Sequence, residues 1–146
     1  MPAVFRDPVE PANSTSSSYY GLTGPSTIFF GKEGAKFDQI TDGLSNTFML
    51  VEAKRDIPWT KPEDIPYAAD VAAGDAPTRN VSRYVIDAPL PKLGGHYADI
   101  FLVGMCDGSV RAISQKIDPA LLRYLLSRDG GEAIDWEKAN GTPPKP

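Results

Sequence analysis

The sequence predicts an α+β domain: an antiparallel β-sheet with a C-terminal helix packed on it. Three observations carry that prediction. The stretch "ADIFLVGMC" (98–106) is apolar on both alternating faces, as a central strand covered on both sides would be, and "DGSVRAIS" turns the chain back beside it. In "IDPALLRYLLS" four leucines recur at helical spacing behind an Asp-Pro start. Thirteen Gly and 14 Pro among 146 residues are too many for a helical bundle, yet 41% hydrophobic residues are enough for one core.

Residues 1–18, "MPAVFRDPVEPANSTSSS", contain three prolines and a Ser/Thr run, so they read as an extended entry segment. The globular domain is expected over 19–136. Its first part, "YYGLTGPSTIFFG", holds two aromatic-rich runs around Gly24-Pro25, which suits a hairpin or paired edge strands. Asp42-Gly43 suits a tight turn. "NTFMLVEAK" (46–54) reads as a buried strand. From 56 to 91 the chain is rich in Pro, Asp and Ala, a long loop that is either functional or an insertion, with "VSRYVID" (81–87) as an additional strand inside it.

After the central strand, Asp107-Gly108 is expected to form a two-residue turn of type I′, so the turn explains Asp107 without any chemistry. "SVRAIS" (109–114) is the returning strand. Asp118 is placed to cap a helix over 118–128, Pro119 fits its first position, and Leu121, Leu122, Leu125 and Leu126 give it one apolar face. Gly130-Gly131 supplies the stop. Residues 137–146 read as a flexible tail.

The net charge of −4 argues against a nucleic-acid surface. No window approaches the length of a membrane-spanning helix. The single cysteine, Cys106, rules out an internal disulfide, and its apolar neighbours suit a small buried hydrophobe. His96 is the one histidine. With Asp99 and Glu52 it would form an acid–base or metal group, but a lone histidine is a weak signal, and a hydrogen bond fixing the Gly-rich turn explains it better. Glu52, in a buried strand, needs a partner, and Arg111 on the returning strand is the expected one. Ser45 lacks the flanking glycines of a nucleophile elbow. Asp70, Asp75 and Asp87 offer carboxylates to calcium at spacings that fit no standard loop, so no metal is assigned.

Several phrases together carry a resemblance: "MPAVFRDP", "FDQITDGLSNTFMLVEAK", "IPWTKPEDIPY", "PLPKLGGH", "MCDGSVRAIS" and "IDPALLRYLLSRDGGE". They resemble the planctomycete envelope proteins with a His-x9-Asp-Gly C-terminal domain, a domain of unknown function sometimes filed under a solute-binding label. Proteins of that family begin with a type IV prepilin-like leader and a long hydrophobic helix, followed by a β-rich head. The resemblance implies that this chain is the head, exported to the cell envelope or outside the cell, and that it is pilin-like or pseudopilin-like rather than an enzyme. It implies envelope subunits as partners, in a homo-oligomer or filament, and membrane contact only through an N-terminal helix outside this chain. No cofactor and no nucleic-acid partner are expected. His96 and Asp107-Gly108 match the family's motif, with ten intervening residues here instead of nine, and 68–88 looks like an insertion. The alternative reading is an extracellular binding module that takes a small ligand, glycan or metal through the 56–91 loop.

Overall fold

In the computed structural model, the structure describes residues 1–67 and 91–140. The expected strand at 81–87, the insertion at 68–88 and the three loop carboxylates lie outside them. Five strands form one sheet: β1 (Tyr19–Thr23), β2 (Phe48–Glu52), β3 (Ile65–Pro66), β4 (Ile100–Met105) and β5 (Val110–Ser114), in the order β3-β1-β2-β4-β5. All pairings are antiparallel except β1 with β3. The helices α1 (Pro119–Leu126) and α2 (Trp136–Ala139) follow β5. The α+β class is therefore as the sequence predicts.

One face of the sheet builds the core. Tyr20, Leu22, Val51, Phe101, Val103 and Ile113 cluster there with Leu121, Leu122, Leu125 and Leu126 of α1. Each buried leucine contributes about 1.5–3 kcal/mol. A register shift between Phe48 and Leu50 in β2 lets Phe48 and Val51 both reach that core, although they stand three residues apart. On the opposite face, Gly21, Leu50, Gly104 and Val110 pair in a row across four strands, and Leu50 and Val110 are exposed.

Helix α1 starts as expected, with the Asp118 carboxylate accepting from the Ala120 and Leu121 N–H groups. It ends earlier than expected. Ser127 is already extended, and Gly130 and Gly131 donate their N–H groups to the Asp42 carboxylate at 2.8 and 2.6 Å. Those glycines therefore serve a long-range bond instead of stopping the helix.

Four further expectations are corrected. The second aromatic run makes no strand; only an isolated bridge joins Phe29 to Thr23, and the strand that pairs with β1 there is β3. The entry segment is not simply extended. It folds through a 3-10 turn at Ala3–Phe5 and buries Asp7. The 56–91 region begins with ordered pairing, since Ser16 bridges Pro58 and Ile65–Pro66 joins the sheet. Packing also extends past 136, because Ala139 is buried and Asn140 bridges Ile113.

Candidate functional site

The residues singled out by the sequence gather at the two ends of β2. At its C-terminal end stands Glu52, which is fully buried. Its Oε2 accepts the Leu102 N–H at 2.8 Å and its Oε1 accepts the His96 N–H at 3.3 Å. The turn carrying Gly94, Gly95 and His96 lies directly on this carboxylate, and Ala53 bridges Gly94. A Cβ on Gly95 would stand 1.5 Å from Glu52 Oε1, so only glycine fits. Gln115 pins the next residues by donating to the Tyr97 carbonyl at 2.9 Å.

The expected Glu52–Arg111 ion pair does not form. Val51, Val103 and Arg111 pair across β2, β4 and β5, so Arg111 shares a sheet face with Val51. Alternation sends the adjacent Glu52 to the other face. Arg111 instead lays its guanidinium over the Trp136 ring, 4.0 Å from the centroid.

His96 reaches away from Glu52. Its Nε2 lies 2.8 Å from Glu10 Oε1, with both side chains largely buried. Glu10 thus ties the entry segment to the glycine-rich turn. No pattern in the sequence marks Glu10, because "DPVEP" reads only as a turn-rich run. Beside it, Asp7 accepts the Val9 N–H and is 2% exposed. The Tyr19 phenol is pushed up to about 12, first by burial and then by the charges of Asp7 and Glu52.

At the other end of β2 lies the β4–β5 hairpin. Its loop has three residues, Cys106-Asp107-Gly108, not two. The Gly108 N–H donates to the Met105 carbonyl and the Met105 N–H to Ser109. Gly108 has φ +84° and no other residue type in the chain has positive φ among the described residues, so the type I′ expectation fails. The pattern is a turn followed by a left-handed glycine, the usual three-residue hairpin. Asp107 Oδ1 accepts from the Ser109 hydroxyl and N–H at 2.6 and 2.8 Å, bonds that hold its carboxyl below the ordinary range. The Cys106 and Asp107 N–H groups bond the carbonyls of Thr47 and Leu44, which lock the hairpin onto a 3-10 turn at Leu44–Asn46. Gly43, just before it, donates to Ile40 as the expected turn requires.

This arrangement separates the groups that chemistry would need together. Ser45 and Cys106 sit at the hairpin end and His96 at the other, with β2, roughly 13 Å of strand, between them. Burial, with Asp107 second, pushes the Cys106 thiol up to about 11, so it is a poor nucleophile near neutrality. Asp99 lies outside the His96–Glu10 pair; its carbonyl accepts the Gln115 N–H. Among the described residues, no three metal-type ligands converge. No family model, curated protein or solved structure matches this chain.

Proposed function

We propose that this chain is the non-catalytic head domain of an exported, pilin-like cell-envelope protein, acting by assembly or surface contact. One observation supports this above others: the polar residues singled out in the sequence are occupied in holding main chain. Glu52 holds Leu102 and His96, Asp42 holds Gly130 and Gly131, and Asp107 holds Ser109. His96 fastens the entry segment through Glu10. Groups committed in this way stiffen a scaffold, and a stiff scaffold presents surfaces.

The surface best suited to contact is the outer sheet face. Leu50 and Val110 stand exposed beside Gly21 and Gly104, giving a shallow apolar row. Exposed apolar area of this kind favours burial against another subunit.

The test uses the full-length protein in its native envelope. Val110→Lys and Leu50→Lys each place a charge on the row and are expected to reduce assembly seen by electron microscopy, while His96→Gln leaves it intact. Normal assembly in both lysine variants would remove the row from the proposal. Turnover of a substrate, lost specifically in the His96→Gln protein with its fold retained, would overturn the non-catalytic reading itself.

A further inference from the structure

The entry segment and the start of the long loop enclose an open groove of about 670 Å³, lined among others by Phe5, Arg6, Asp7, Ser17, Tyr19 and Trp59. It shares no residue with the outer-face row. Its walls are fixed by main-chain bonds: Trp59 N–H to the Thr15 carbonyl and Ser17 N–H to Ile57, both 2.8 Å. Buried Asp7 braces the base through Val9, and the Glu10–His96 pair anchors the segment beyond. The groove is therefore formed before any ligand arrives, as small-molecule sites usually are.

Its lining is of two kinds. The Phe5 and Trp59 rings lie nearly parallel, 17° apart with centroids at 5.9 Å, and remain 59% and 40% exposed. Tyr19 adds a third partly exposed ring. So much aromatic area facing water is unfavourable unless something covers it. Polar groups of both senses line the same groove. Arg6 uses one N–H on the Ala12 carbonyl, and a guanidinium has five. Ser17 donates its hydroxyl proton to the Tyr19 carbonyl, which leaves its oxygen as an acceptor. Asp7 adds negative charge at the base.

We propose that this groove binds the pyranose ring of a neutral glycan. Such a ring offers an apolar C–H face to an aromatic ring, and hydroxyls that both donate and accept along its edge. The groove supplies the matching set: aromatic faces, the Arg6 donors and the Ser17 acceptor. A proline-rich peptide would also favour the aromatic rings, but its prolines bring carbonyl acceptors and no N–H donors, so the Ser17 acceptor would go unanswered. An acidic saccharide would be disfavoured by a chain of net charge −4. The proposal stands beyond the assembly reading and does not depend on it, because the groove and the Leu50–Val110 row share no residue.

The experiment titrates the intact chain with cellotetraose and with chitotetraose and follows the two tryptophan indole N–H signals by NMR. A saturable shift of the Trp59 signal in the millimolar range is expected, with Trp136, which lies under Arg111, unmoved. Trp59→Ala should weaken binding at least about tenfold, read from the backbone amides of Ser17 and Tyr19, and Trp59→Tyr should restore most of it. The amide spectrum of the sheet, unchanged in both variants, confirms the fold. No saturable shift with either saccharide up to about 20 mM overturns the proposal. Equal binding by the Trp59→Ala protein does so as well. Saturation by a polyproline peptide but by neither saccharide would assign the groove to a peptide instead. None of these results depends on assembly, so failure here and failure of the envelope reading remain distinguishable.

Discussion

Asp107 and Glu52 are carboxylates at opposite ends of the same sheet, and both accept main-chain N–H groups. They do so over very different distances in sequence. Asp107 is exposed and bonds Ser109, two residues away. Glu52 is sealed from water and bonds His96 and Leu102, 44 and 50 residues away. The first organises a turn that glycine has already largely determined. The second replaces missing ladder bonds where β2 stops, and closes a distant turn onto the sheet. A carboxylate used locally is replaceable, whereas one that holds distant main chain in a buried site is not.

The largest effect is expected from Gly95→Ala. The new methyl would sit within 1.5 Å of Glu52 Oε1, and buried Glu52 has no room to move aside, so a loss of about 4 kcal/mol or more is expected in chemical denaturation. Glu52→Ala leaves the Leu102 and His96 N–H groups without their acceptor, at about 1–3 kcal/mol each. A combined loss near the sum, measured in urea, would place most of the order at this end of the sheet on one side chain.

Smaller effects belong to the hairpin end. Gly108→Val forces a β-branched residue to φ +84° and should cost about 1–3 kcal/mol. Cys106 should react with iodoacetamide at pH 8 at least about tenfold more slowly in the native chain than in urea, since its thiol titrates near 11. The folded state holds that proton more tightly than the unfolded state, so this group's contribution to stability falls as pH rises from about 9 towards 11. Asp107→Asn should be nearly neutral in urea, because the amide oxygen still accepts from Ser109. At the aspartate itself the sign is opposite to that of Cys106. Its lowered folded-state titration gives stability above the ordinary carboxyl range, which is lost as pH falls through the folded value.

The same contrast explains what was legible in the sequence. The β4–β5 hairpin and α1 could be read because their causes are local: an apolar run, a glycine turn, an Asp-Pro start and a leucine face. The loop is one residue longer than Asp-Gly alone predicts, because its length depends on the Met105–Ser109 register. The Glu52 site was legible only as a buried carboxylate in need of a partner. Arg111 was the wrong partner because pairing parity, set by registers invisible in the sequence, puts the two side chains on opposite faces. Gly130-Gly131 likewise looked like a helix stop, since nothing near it shows that Asp42 waits 88 residues away. Glu10, the partner of His96, carried no sequence signal at all.

A double-mutant cycle joining Gly95→Ala and Glu52→Ala tests most directly whether the glycine exists to admit the carboxylate. If it does, the alanine methyl enters the space that the carboxylate vacates. Gly95→Ala should then add little in the Glu52→Ala background, with a coupling of at least about 2 kcal/mol between the two sites in urea denaturation. Strictly additive losses would show that the glycine answers to something other than Glu52, and the contrast between the two ends of the sheet would fail.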